Sequence, residues 1–436
     1  MIQILTYIVS LLLVFCMLYS SKPVKLGVLL CSSLCLNEVS LPFFPIHGIK
    51  IILVILLLVS EYKNVPAVLG FLKTHTLGHA VIMMFAFNIA WGLSSPHVLS
   101  GMSNFIAFFI SEFLLRYFVF IYAYTLISSY KDFHIINRWL VYSMIVLTLF
   151  GVHNFLNRYS IFMDSISVGN MDYDSVGLRY NANDERYRVQ SMFALACNYG
   201  YVCNIVLLWA LFTYTNKLIR KNHFLLLTLC AALGVIMCGF RACMLSTIIS
   251  VCVWALCVFP KRKFAKIIVM AIILIIILYS NIPFVAEKVG TFLTMFDVNN
   301  QDGSSISMRI MQLTAVLSHL DGYYLFGRGW GFFLYDMGYI DGASGLLDEE
   351  LLGMESIIFH LLLESGLLGI MFNILFWYLF YMYAHKREFV STSSLGFFYS
   401  ILTAYVLFSV TTGEQGAVFI TMIMLGISAK VIDFSK

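Results

Sequence analysis

Apolar runs close to twenty residues long recur from one end of this 436-residue chain to the other. Each is long enough to cross the roughly 30 Å hydrocarbon layer as a helix. Thirteen such runs are predicted, at 2–20, 25–42, 46–60, 78–94, 104–127, 138–156, 190–214, 223–239, 242–259, 265–283, 355–382, 395–411 and 415–430. Composition points the same way: 61% of residues are hydrophobic and 11% charged, against about 25% charged in a soluble globular chain. The expected fold is all-α, a polytopic integral membrane protein of about 12–13 transmembrane helices with one large extracytoplasmic loop carrying short interfacial helices. The first run has no basic stretch before it and no small-residue cleavage site, so it reads as a retained span. The predicted organisation is an N-terminal transmembrane bundle (1–156), an outer loop (157–189), central transmembrane helices (190–283), a large outer loop (284–353) and C-terminal transmembrane helices (354–436).

Charge distribution orients the spans, because cytoplasmic loops gather Lys and Arg. The clusters Lys217/Arg220/Lys221 and Lys261-Arg262-Lys263 with Lys266 lie two spans apart and both belong inside. Alternation then puts Lys22/Lys25, Lys63/Lys73, Lys131/Arg138, Lys386/Arg387 and Lys430/Lys436 inside as well. The segments 94–103, 157–189, 240–241, 284–353 and 412–414 fall outside. Basic residues also sort by type: the inner side is dominated by Lys, while the outer side holds Lys50 and Lys288 beside Arg158, Arg179, Arg186, Arg188, Arg241, Arg309 and Arg328. Lysine anchors topology; the guanidinium fork suits phosphate and carboxylate. On that side of the membrane there is no ATP and no nucleotide sugar, so a phosphate-bearing lipid is the natural ligand.

Three of these arginines stand out. Arg188 opens an apolar stretch that continues to Asn198. Arg241 sits in Cys238-Gly-Phe-Arg-Ala, at a turn between two spans, with no acid beside it in the sequence. Arg309 follows Ser305-Ile-Ser307 and starts an amphipathic run, Met308–Leu320, that reads as an interfacial helix. That run ends at Asp321-Gly322 and leads into Phe326-Gly-Arg328-Gly-Trp330-Gly331, a turn with close backbone approach. Charge at the membrane boundary marks a functional candidate, with lipid-headgroup snorkelling as the plain alternative. Converging guanidinium groups could clamp a pyrophosphate and stabilise the charge it develops as its bond breaks, with no metal required.

The next apolar element opens at Gly353-Met-Glu355-Ser356 and continues through His360 to Glu364-Ser-Gly-Leu-Leu-Gly369. Glu355 at the positive end of the helix dipole is either a dipole-complementing residue or a general base at the membrane surface. His360 and Glu364, four apart, share a helix face. His360 is either a hydrogen-bonded core histidine or a second candidate base. Glu112 and Arg116 are spaced to form an intramembrane ion pair, either structural or the floor of a polar cavity. Asp172-Tyr-Asp174 matches a metal-and-nucleotide-sugar pattern but lies on the outer side, where it reads as coincidence. Asp348-Glu349-Glu350 reads as a solvated acidic loop. Loop 284–353 holds nine acids and three bases, which argues against nucleic acid and favours a neutral or amino-sugar glycan. The ten cysteines show no CxxC pair or metal-ligand spacing, and Cys31 and Cys35 share one helix face.

Taken together, these residues resemble the bacterial O-antigen polymerase and O-antigen ligase superfamily. The similarity rests on Arg188…Asn198, on Gly239-Phe-Arg241-Ala242, on Ser307-Met-Arg309…Phe326-Gly-Arg-Gly-Trp-Gly331, and on Glu355-Ser356…Gly366-Leu-Leu-Gly369, and covers roughly residues 185–385. It implies a multi-pass protein of the bacterial inner membrane with its active site facing the periplasm. It further implies an undecaprenyl-pyrophosphate-linked oligosaccharide donor, inverting transfer, and no metal or other cofactor. Membrane lipid, a chain-length regulator and a flippase are the implied partners. In the ligases the late helix commonly opens with His-Asn; here Glu355-Ser356 occupies that place, as in many polymerases. The resulting expectation is a repeat-unit polymerase with Glu355, Arg241 and His360 catalytic, and with Arg188, Arg309, Arg328 and Asn198 binding pyrophosphate or glycan. A ligase of the same superfamily is the alternative, and a lipid-oligosaccharide transporter is the alternative from another class.

Overall fold

A computed structural model describes residues 2–39, 48–166, 188–281, 286, 290, 306–337, 351, 354, 356–385, 392–413 and 416–434. All regular elements among them are helical. The long helices are α1 (Ile2–Tyr19), α2 (Lys22–Cys35), α3 (Ile49–Ser60), α4 (Val65–Thr74), α5 (Thr76–Ser94) and α6 (Met102–Leu126). They continue with α7 (Asp132–Asn157), α8 (Ala196–Thr215), α9 (Lys221–Met237), α10 (Arg241–Val258) and α11 (Lys261–Asn281). The last four are α12 (Ile306–His319), α13 (Ile357–His385), α14 (Thr392–Thr412) and α15 (Ala417–Phe434). Among the described residues nine helices are long and apolar enough to cross a membrane, or ten if the bent pair α3–α4 forms one span. The protein is an all-α, multi-pass membrane protein.

Helix α8 is the most enclosed element, and its sequence shows why. It has no amphipathic stripe, and its polar residues Asn198, Asn204 and Thr213 are buried with the apolar ones, so no face is set aside for water. Trp209 and Phe212 are fully buried. Phe212 stacks on Phe397 of α14 at 4.4 Å, and the Trp209 indole donates to Asn137 of α7 at 2.7 Å. Small residues let backbones close up where the helices cross: Gly200 faces Cys238 and Cys243, and Gly426 of α15 lies against the Phe120 carbonyl of α6.

The basic residues mark one end of the bundle. There Lys25 pairs with Glu61 at 2.6 Å, both largely buried. His75 and Tyr124 both reach Asp433, at 2.9 and 2.8 Å. Asn216, just past α8, donates to Ser393 at the start of α14 at 2.9 Å, so α14 runs back toward the opposite end.

Three expectations need correction. The segment 61–77, read as an inner loop, contains helix α4, bent by 65° from α3; Pro66 in its first turn supplies a preset φ. The span read at 190–214 begins as helix only at Ala196. Residues 188–195 are irregular because Ser191 takes φ 53° and Asn154 Oδ1 accepts from the Gln190 and Ser191 amides. The run read as a continuous span at 355–382 is described as helix from Ile357 and is broken at Gly366, where φ is 63° and ψ −163°.

Candidate functional site

Two groups of side chains meet at the end opposite the basic residues, and the turn between α14 and α15 joins them. The first group is built around α10. Val189 N–H donates to the Met237 carbonyl at 3.3 Å, which lays the segment bearing Arg188 along the turn that precedes α10. The Arg188 guanidinium sits over the Phe240 ring, 4.3 Å from its centroid, and Arg241 follows as the first residue of α10. Arg188 and Arg241 are therefore both placed at the turn that carries Phe240, and both are half-buried. A cation at a helix N-terminus adds to the positive end of the dipole instead of complementing it, so this corner favours an anion.

Arg309 reaches the same end from α12. Its guanidinium donates to the Thr411 carbonyl at 2.7 Å and to the Val410 carbonyl at 3.4 Å. Helices α10 and α14 are antiparallel, with Gly396 facing Cys257 and Ser246 donating to the Ala404 carbonyl at 3.1 Å. Arg241 lies five residues beyond Ser246, about 7.5 Å along its helix, and Val410 six beyond Ala404, about 9 Å. Arg241 and the carbonyls that hold Arg309 thus stand at one level on neighbouring helices. Asn198 joins them from α8: a Cβ on Gly416 would lie 2.6 Å from its Nδ2. Among the described residues, its buried Oδ1 meets no hydrogen-bond partner, nor does the buried Ser409 hydroxyl. Orphaned acceptors and hydroxyls at this depth are costly unless a ligand pairs with them.

The second group lines a cavity of about 380 Å³. One wall is a face of α5, with Met84, Phe87, Asn88 and Trp91 at helical spacing. The second is the stretch Ile110–Phe118 of α6, wound as a π-helix, which presents Ser111, Glu112 and Arg116. The ion pair expected there is present, Arg116 Nε to Glu112 Oε2 at 3.4 Å, and it contributes to the cavity lining. The third wall is α13, contributing His360, Glu364 and, beyond the break, Asn373. His360 and Glu364 do share a face, and His360 packs edge-on against Phe333 with centroids 4.8 Å apart. Thr412, Gly413 and Gly416 complete the rim. The turn that receives Arg309 and Asn198 is therefore also part of the cavity.

The break in α13 is held by the glycine-rich loop. Arg328 and Gly329 amides donate to the Leu363 and Glu364 carbonyls at 2.8 and 2.9 Å, and the Leu367 and Leu368 amides donate to Tyr324 and Leu325 carbonyls at 2.9 and 3.2 Å. The Trp91 indole also donates to the Glu364 carbonyl, at 2.9 Å. An irregular backbone at membrane depth is tolerated only where protein or a cavity satisfies it, and here both do. Trp330 and Gly331 thereby form the cavity roof. The guanidinium of Arg328 is engaged within its own loop: Nε donates to the His319 carbonyl at 2.6 Å, and the group lies 4.0 Å from the Tyr323 ring centroid.

The structure thus assembles Arg188, Arg241, Arg309 and Asn198 around one end, and His360 in the adjoining cavity. Glu355, the Asp172–Asp174 pair and Asp348–Glu350 lie outside the described residues. Sequence reasoning did not single out Asn88, Trp91 or the Ser409–Gly416 turn. Lys50, read only as an outer-side lysine, also lines the cavity. The spacing of Met84, Phe87, Asn88 and Trp91 was the one available signal, since it puts an amide and an indole on one helix face.

A family model described as O-antigen ligase matches residues 226–374. The matched stretch takes in Arg241, Arg309, Arg328, Glu355 and His360 but not Arg188, Asn198 or the α14–α15 turn. No curated protein matches the chain.

Proposed function

The chain belongs to the O-antigen polymerase and ligase superfamily, and from that premise we propose that it is a polysaccharide repeat-unit polymerase. It transfers a growing glycan from undecaprenyl pyrophosphate to a lipid-linked repeat unit on the outer face of the bacterial inner membrane. The observation that carries this reading is the gathering of Arg188, Arg241 and Arg309 at one end, beside a cavity whose lining includes Thr412 and Gly413 of the turn that receives Arg309. The guanidinium groups hold the donor pyrophosphate. An acceptor hydroxyl oxygen attacks the anomeric carbon from the opposite face as the bond to the pyrophosphate oxygen breaks. The electron pair leaves on the pyrophosphate, where fixed cationic donors stabilise it. The hydroxyl proton passes to Glu355 or, by way of the cavity wall, to His360, and configuration at the anomeric carbon inverts.

The position of His360 in the cavity wall favours one second reading, a ligase that moves finished glycan to another acceptor with this histidine as base. Surface polysaccharide and lipid-linked pools from a strain lacking the protein, complemented with wild type or Arg241→Ala, separate the two. Single repeat units in place of the ladder, unrescued by Arg241→Ala, are the expected result. Full-length polymer stranded on undecaprenyl pyrophosphate would select the ligase. Unchanged pools would overturn both and leave transport.

A further inference from the structure

The cavity holds an unusual set of groups for the membrane interior. Glu112 is 8% exposed and paired with Arg116. Asn88 reaches the Glu112 carbonyl at 3.4 Å, a backbone acceptor in the π-helical stretch. Insertions of this kind in a helix recur at functional sites, and intramembrane charge that faces a cavity marks a ligand pathway by default. The lining is balanced: Lys50 and Arg116 oppose Glu112 and Glu364 in formal charge, and Trp91 and Trp330 add aromatic surface. A phosphate would call for an excess of cations, and an acyl chain for none of these charges. A neutral polyhydroxyl ring uses both donors and acceptors and packs its apolar face on indole.

We propose that this cavity is the acceptor-sugar subsite: it takes one sugar ring of the lipid-linked acceptor, hydrogen-bonded by Asn88, Glu112 and Arg116 beneath Trp330. The inference rests on the glycan-transfer reading and deepens it. The α14–α15 turn sets the geometry, because Thr412 and Gly413 border the cavity while Thr411 holds Arg309. An acceptor seated in the cavity therefore meets a donor held by the arginines across a single turn. His360 and Glu364 before the break in α13 and Asn373 beyond it all line the cavity, so the subsite spans the break.

The test uses the full-length protein in nanodiscs and, as probe, the oligosaccharide freed by mild acid from the lipid-linked intermediates of the same strain. Binding is followed by tryptophan fluorescence. Glu112→Gln and Asn88→Ala should each weaken binding on the order of tenfold, the loss expected for one buried hydrogen bond involving a charged partner. Arg241→Ala should bind the free oligosaccharide like wild type while making no polymer. Leu334→Trp, which adds bulk at an exposed residue of the cavity lining and leaves Asn88, Glu112 and Arg116 in the sequence, should also abolish binding, read for this variant by calorimetry because it adds a tryptophan. Unchanged affinity in Leu334→Trp and in folded Glu112→Gln would overturn the subsite. If binding depends on the cavity but the deletion strain keeps its polysaccharide and lipid-linked pools, the polymerase reading falls while the sugar site stands. If polymer is lost on deletion but cavity variants bind normally, the subsite falls alone.

Discussion

Gly366 and Gly327 meet backbone to backbone: a Cβ on Gly366 would lie 2.6 Å from the Gly327 nitrogen and equally close to the Leu325 carbonyl oxygen. Gly366 also holds φ 63° with ψ −163°, a region essentially reserved for glycine. Gly366→Ala should therefore combine roughly 1–3 kcal/mol of backbone strain with a steric clash. Thermal unfolding in detergent should show a large drop. Gly70→Ala in α4, where a Cβ meets nothing within 4 Å, should hold or raise the midpoint.

Two arginines of one segment should separate cleanly. Arg309→Ala should lower polymer formation by about 10²–10³-fold, the effect of losing one donor to developing charge, a loss far exceeding the modest drop in melting temperature from giving up its bonds to the Thr411 and Val410 carbonyls. Arg309→Lys should recover little, because an ammonium cannot replace the guanidinium fork. Arg328→Ala should instead lower thermal stability, since its guanidinium ties the loop to the end of α12. Polymer ladders and melting curves from the same preparations decide it.

At the basic end, Lys25 and Glu61 form a buried pair with side-chain exposures of 4% and 11%, and Ser60 accepts from the same ammonium at 2.9 Å. Lys25→Met leaves an uncompensated carboxylate and should cost about 3–5 kcal/mol, whereas Lys25→Met/Glu61→Leu should recover most of it. Denaturation of the single and double variants gives the comparison. A double variant no more stable than the single would refute the assignment.

Gly200 faces Cys238 and Cys243, with a Cβ at 3.0 Å from the Cys243 Cβ. Gly200→Val should push α8 away from the turn that carries Arg241, costing about 1–3 kcal/mol by overpacking. Lower folded yield together with lower polymer formation is the expected outcome, read by size exclusion and by the surface ladder.

The fold was legible where a property depends on one segment alone. Runs of apolar length became helices, and the glycine spacing at 322–331 announced a tight loop, realised by positive φ at Gly322, Gly327, Gly329 and Gly331. The break in α13 was not legible, because Gly366 within a long apolar run reads equally well as a packing glycine. Its cause lies in a loop some forty residues earlier in the chain. The cavity escaped for a related reason. Asn88, Glu112 and Glu364 each look like isolated polar residues, and only the packing of α5, α6 and α13 brings them together. Arg188, Arg241 and Arg309 could be selected by side and depth, while their shared level depends on the antiparallel pairing of α10 with α14.

An uninterrupted α-helix through residue 366 would pair the Leu367 amide with the Leu363 carbonyl and the Leu368 amide with the Glu364 carbonyl. In the observed structure these same four groups all bond to the glycine-rich loop. A straight α13 and a docked loop therefore compete for one set of hydrogen-bonding groups and exclude each other. Releasing the loop loses four bonds, of which the helix can remake two by itself. The roof of the cavity and the shape of its wall are, in consequence, fixed by the same four hydrogen bonds.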